Sequence, residues 1–130
     1  MPRLPIILAL AALLAGCSKS ACSNTVVARL RAPADPFTAV LFQRDCGATT
    51  GFSTQVGLQK DGEQLTGGGD VFRADDDHGK AKRGDWGGPW VEMQWTGPGQ
   101  LRIRYARGAR IFQQERHVQG VEISFEPVDR

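Results

Sequence analysis

The chain has 130 residues, 41% of them hydrophobic and 23% charged, with 16 Lys and Arg against 14 Asp and Glu. That length supports one domain around a single modest core. The near-neutral balance gives no basis for nucleic-acid binding or for steering to an anionic surface, and the abundant glycine with scattered charges is not the pattern of an obvious disordered tail.

Met1-Pro2-Arg3 opens the chain with positive charge, and Leu4 to Leu14 is apolar apart from Pro5. A run of about eleven residues is too short to span a ~30 Å hydrocarbon core as a helix, and it has the size of a signal-peptide apolar region. It ends in Leu14-Ala15-Gly16-Cys17, which resembles the lipobox of bacterial lipoproteins. That resemblance implies a signal peptide of residues 1–16 that is removed, a diacylglyceryl group on the Cys17 thiol, and a tether of residues 17–24 in which Ser18, Lys19, Ser20, Ser23 and Asn24 are small or polar. An ordinary cleaved signal with a chance cysteine is the plainer alternative. Two or more acyl chains hold a protein stably where one holds it marginally, at ~0.8 kcal/mol per buried CH₂. Ser18 stands where an Asp retains Gram-negative lipoproteins in the inner membrane. By that resemblance the expected address is the cell envelope, on the periplasmic face of the outer membrane if the source is Gram-negative. Arg3 is the only charge in the leader, so the mature part keeps 15 Lys and Arg against 14 Asp and Glu.

Residues 25–130 read as one β-rich domain. Val26 to Arg31 and Thr38 to Arg44 have strand character and flank the turn Pro33-Ala34-Asp35-Pro36. An antiparallel pairing centred on Ala34 sets Val26 opposite Phe42, Ala28 opposite Val40 and Cys22 opposite Cys46. Directly opposed residues bring their Cβ atoms to the spacing a disulfide needs. Export favours the bridge, which would stabilise the fold by about 3–4 kcal/mol in the chain-entropy account. Two free buried thiols are the alternative.

Phe52, Thr54, Val56 and Leu58 then alternate with Ser53, Gln55, Gly57 and Gln59 before the Asp61-Gly62 turn, the period-two signature of a half-buried strand. Gly67-Gly68-Gly69 leads to a short strand at Val71-Phe72, and Asp75 to Gly88 reads as an exposed polar loop. Val91, Met93 and Trp95 alternate with Glu92 and Gln94, and Leu101, Ile103 and Tyr105 with Arg102 and Arg104. Folding about Pro98 sets Val91 opposite Tyr105, Met93 opposite Ile103, Trp95 opposite Leu101 and Glu92 opposite Arg104. Val121, Ile123 and Phe125 repeat the pattern, with Arg104 meeting Glu122 in an antiparallel third strand. Ile111 to Val118 fits either a helical turn or a strand. The expected fold is all-β, a small antiparallel sandwich or barrel of about six to eight strands behind the signal peptide.

The most distinctive stretch is Asp45-Cys46-Gly47-Ala48-Thr49-Thr50-Gly51-Phe52-Ser53-Thr54-Gln55-Val56. It resembles a motif of an uncharacterised family of small exported bacterial proteins, a domain of unknown function, with the likeness running from about Cys22 through Val56 and weaker similarity at Val71-Phe72 and through the C-terminal strands. The resemblance implies no activity. Glycines, hydroxyls and Asp45 beside a disulfide make either a rigid pinned hairpin or a polar recognition loop. Trp90, beside glycines and sharing the polar face with Glu92, can stack on a sugar ring or anchor a protein interface, or pack under a loop. Thr49, Thr50, Ser53, Thr54 and Trp90 therefore form the candidate binding patch.

No cofactor and no metal site is expected. Asp75, Asp77 and Gly79 imitate the opening of a calcium loop, but Trp86 stands where the closing Glu belongs. Cys46 acting as a nucleophile with His78 or His117 needs a free thiol, which a bridge to Cys22 removes. The expected function is a non-catalytic binding or structural module held to the membrane through lipid on Cys17, with an envelope protein or a glycan as partner. An inhibitor of an envelope-attacking hydrolase, like the small β-barrel lipoproteins that inhibit lysozyme, is the second expectation, by analogy of size and address. A thiol- or metal-dependent enzyme is the third.

Overall fold

A computed structural model of the chain describes residues 22–47 and 51–130. The leader, the lipidation position Cys17 and the patch residues Thr49 and Thr50 lie outside the described residues. Among the described residues the chain is all-β, with nine strands: β1 (Ser23–Arg31), β2 (Phe37–Asp45), β3 (Ser53–Lys60), β4 (Phe72–Asp75), β5 (Val91–Gly97), β6 (Gln100–Ala106), β7 (Arg110–Gln114), β8 (His117–Val118) and β9 (Val121–Val128). The first sheet has the order β1-β2-β3-β4-β7 and the second β5-β6-β9-β8, and the two do not close into a barrel. β1 begins two residues before the expected domain boundary at residue 25.

Period-two alternation explains how the sheets meet. Ala39 and Leu41 of β2, Val56 and Leu58 of β3 and Phe72 of β4 join Val91, Met93, Leu101, Ile103 and Ile123 of the second sheet in one apolar cluster. The Phe72 ring lies 5.6 Å from that of Tyr105 and 5.7 Å from that of Phe125, so one side chain of the first sheet touches two strands of the second. Two hydrogen bonds join the β1–β2 hairpin to the β5–β6 hairpin. Trp95 Nε1 donates to the Leu30 carbonyl at 2.9 Å, and the Gly99 N–H to the Asp35 carboxylate at 2.8 Å.

The β5–β6 register is the expected one, with Val91 opposite Tyr105, Glu92 opposite Arg104, Met93 opposite Ile103 and Trp95 opposite Leu101. The β1–β2 pair keeps the expected register from Ser23 to Val26. A bulge then shifts it by one, so that Ala28 faces Leu41 instead of Val40. The Cys22–Cys46 disulfide closes this hairpin.

Two expectations are corrected and one open alternative is resolved. β9 runs parallel to β6, and Arg104 faces Glu126 instead of Glu122. The chain leaves the second sheet after Ala106, pairs as β7 with β4 and returns as β8 before turning into β9. That detour resolves Ile111 to Gln114 and His117-Val118 as strands, joined through Glu115 and Arg116, and brings the count to nine. The Asp75–Gly88 segment is not simply an exposed loop: Asp76, Ala81 and Gly88 are buried, and Arg83 bridges to Pro89.

The Gly67–Gly69 run has a packing reason. Gly69 crosses β3 so closely that an added Cβ would lie 2.4 Å from the Val56 carbonyl oxygen. The approach lets Val71 N–H donate to that oxygen and lets the Asp70 carboxylate accept the Leu58 N–H, which satisfies the edge of β3 beyond its pairing with β4.

Candidate functional site: an arginine-lined groove

The lateral order β2-β3-β4-β7 assembles a polar row that no single segment contains. Arg44 faces Ser53, Ser53 faces Asp75, and Asp75 faces Arg110. In the row two residues along, Phe42 faces Gln55, Gln55 faces Arg73, and Arg73 faces Gln113. Side chains two apart share a face, so both rows look away from the shared core. Between them runs a groove of about 470 Å³ lined by Arg44, Ser53, Gln55, Arg73, Asp75 and Arg110. A bulge in β7 leaves Phe112 at its rim, 62% exposed.

Hydrogen bonds hold these side chains in place. Ser53 Oγ donates to the Arg44 carbonyl and accepts from Gln55 Nε2. Gln55 Oε1 in turn accepts the Gly69 N–H at 2.8 Å. Arg73 Nε donates to the Gly69 carbonyl at 2.7 Å, and Arg44 donates to the Asn24 side-chain oxygen at 2.6 Å. The Asp75 carboxylate is gripped by Arg110 and accepts the Asp77 N–H. Burial pushes the Asp75 carboxyl up, but the Arg110 guanidinium and the Asp77 N–H together outweigh it and leave the pKa below the ordinary carboxylate value. Asp75 raises Arg110 in return. Arg83 pairs with Asp76. Among the described residues neither Arg44 nor Arg73 has a carboxylate partner. The groove therefore holds two guanidiniums positioned by neutral groups and free to meet an anion.

At the end of the groove the backbone takes three successive left-handed residues, Asp77 (φ 48°), His78 (57°) and Gly79 (87°). Asp and His accept that conformation more readily than most residues. Asp75 and Asp76 are held by cations, and no three His, Cys, Asp or Glu side chains converge on a metal position among the described residues.

The expected patch does not assemble as drawn. Ser53 lies in the groove. Thr54, expected to offer its hydroxyl to a ligand, is 0% exposed. Its Oγ1 donates to the Pro89 carbonyl at 2.7 Å and accepts from Trp86 Nε1 at 2.8 Å, which leaves nothing for a ligand. Trp90 is half-buried under the Arg130 guanidinium, 4.1 Å from its ring, and does not line the groove. The tryptophan that locks this region is Trp86. It folds back over Gly84, where a Cβ would meet its ring at 2.3 Å. Cys46 is bridged, so it offers no thiolate.

Sequence reasoning missed Arg44, Arg73 and Arg110 as site residues, because Arg44 and Arg73 meet through the β2-β3-β4 pairings and Arg110 joins them only where β7 lies beside β4. A second, wider opening of about 660 Å³ lies at the β8 end, with Tyr105 and Phe125 in its wall and Arg116, His117 and Glu122 at its rim. Those three rim side chains are exposed and make no side-chain hydrogen bond or ion pair among the described residues. The groove is the better-organised site, because its polar groups are held before any ligand arrives. Comparison with models of protein families, with curated proteins and with solved structures finds no match.

Proposed function

We propose that the chain is a lipid-anchored protein of the bacterial envelope, on the periplasmic face of the outer membrane where there is one, and that it acts as a non-catalytic binding module. The outer-face groove is its recognition surface, and the ligand presents an anionic group. The observation that carries this reading is the pair Arg44 and Arg73, fixed by Asn24 and Gly69 and unpaired with any described carboxylate, in a groove whose Ser53 and Gln55 side chains are held by the protein's own hydrogen bonds. Guanidiniums present fixed forks of donors that match phosphate and carboxylate oxygens. The lipobox-like Leu14–Cys17 segment and the disulfide are consistent with export and anchoring.

The test is purification from the envelope in mild detergent, wild type beside Arg44→Gln/Arg73→Gln. The expected mature protein begins at Cys17 and carries a diacylglyceryl mass. The wild type should retain an anionic species that the folded double variant loses. A mature chain without lipid would overturn the anchor, and equal retention by both forms would overturn the groove.

A further inference from the structure

We infer that the groove end of the domain docks on the membrane that carries the anchor, with Arg44 and Arg73 on the phosphates of anionic phospholipid headgroups and Phe52 and Phe112 in the interfacial layer. This rests on the lipid-anchor reading above and names the ligand of the same groove.

Three observations converge on one end of the first sheet. β1 begins there at Ser23, β2 ends there at Asp45, β3 begins at Ser53, β4 ends at Asp75 and β7 begins at Arg110. The chain enters at the same end, since Cys22 is bridged to Cys46, and Cys46 lines the groove. Only residues 18–21 separate Cys17 from Cys22. Five extended steps reach at most about 18 Å, so lipid on Cys17 keeps Cys22 within that distance of the bilayer surface and brings the Cys46 end of the groove towards it.

The apolar side chains agree. Among the described residues the exposed large hydrophobic side chains are Val26, Phe52 and Phe112. Phe112 rims the groove, and Phe52 rims the adjoining hollow that shares Gly51 and Asp76 with it. The Phe112 ring, 62% exposed, lies 5.2 Å from the Arg110 guanidinium, and the Phe52 ring, 43% exposed, shares its hollow with Arg83; such rings suit the headgroup region, where apolar bodies and cations are accommodated together.

The charges facing this surface are mixed. Arg110 is neutralised by Asp75 and Arg83 by Asp76, His78 stands beside them, and Asp45 accepts the Gly47 N–H. The surplus is small, so the anchor supplies affinity through high effective concentration, and the groove supplies orientation. An acidic glycan has no comparable reason to meet the tethered end in preference to the exposed face.

The test uses the mature protein purified from the envelope, with its intact mass recorded first. It is reconstituted in bilayer discs of phosphatidylcholine alone or of equimolar phosphatidylcholine and phosphatidylglycerol, and also kept in detergent. Hydroxyl-radical footprinting then reads oxidation of Phe52 and Phe112, with His117 as the distant control. Oxidation of both phenylalanines should fall severalfold in phosphatidylglycerol discs relative to detergent while His117 stays unchanged. In Arg44→Gln/Arg73→Gln, whose footprint in detergent should match the wild type, that protection should be lost. If the mass shows no lipid on Cys17, the anchor reading fails and takes the docking with it. If lipid is present but the phenylalanines oxidise equally in discs and in detergent, the docking alone is overturned. Equal protection in the double variant overturns the assignment of headgroup contact to Arg44 and Arg73. Protection by a soluble acidic polysaccharide with none from discs assigns the groove to a glycan and overturns the proposal.

Discussion

The Thr54 hydroxyl bonds in both directions where no water reaches, taking the Trp86 indole N–H and giving its proton to the Pro89 carbonyl. Thr54→Val keeps the shape and removes both partners at once. Leaving a buried donor and acceptor unpaired costs about 2–3 kcal/mol. The expected result is a lower denaturant midpoint with an unchanged slope, whereas Thr54→Ser, which keeps the hydroxyl, loses less. The clue to this role was in the sequence, because Thr54 shares its strand parity with Val56 and Leu58 and so points into the core with them. On that face a hydroxyl must find a protein partner and not a ligand. The partner itself was not legible, since Trp86 lies 32 residues away along a loop with no periodicity.

Single strands and hairpins were legible where two faces of a short-turn pair carried different chemistry. β5 and β6 alternate apolar and charged residues on both sides of a Pro98-Gly99 turn, so one register alone satisfies both faces. The β1–β2 pair was legible from Cys22 to Val26, and the bulge at Val27 then broke the count, because an extra residue leaves no compositional mark. The direction of β9 was not legible for a different reason. Its glutamates at 122 and 126 alternate with apolar residues whichever way the strand runs, so either orientation sets a Glu opposite Arg104. The disulfide matters most to β1, an edge strand with only β2 beside it. Cys22→Ser/Cys46→Ser opens a loop with a sequence separation of 24, and the chain-entropy account puts the loss at about 3–4 kcal/mol. Thermal melts of the double variant should show that loss, with hydrogen exchange rising first at Asn24 to Val26. A variant as stable as the wild type would mean that the bridge constrains little in the unfolded chain.

At the scale of the molecule, the groove exists because the chain crosses from the second sheet to the first and back. β7 brings Arg110 and Phe112 beside β4, and without that excursion Asp75 would lose its Arg110 partner and Arg73 would lie on an open edge. Local patterns could not announce the crossing, since β7 and β8 alternate weakly and their partners are chosen by space and not by sequence neighbourhood. What holds the two sheets at one spacing is the shared core, and Phe72 is its best reporter. It is fully buried, belongs to β4 and packs on both Tyr105 and Phe125. Phe72→Ala should cost about 3–5 kcal/mol, a large share of the roughly 5–15 kcal/mol that stabilises a domain of this kind. Because the lost contacts join the sheets, near- and far-ultraviolet circular dichroism should move to a lower midpoint together and remain coincident. If the near-ultraviolet signal melts first while the strand signal persists, the two sheets are held chiefly within themselves. The groove, built wholly on the first sheet, would then survive the loss of the second.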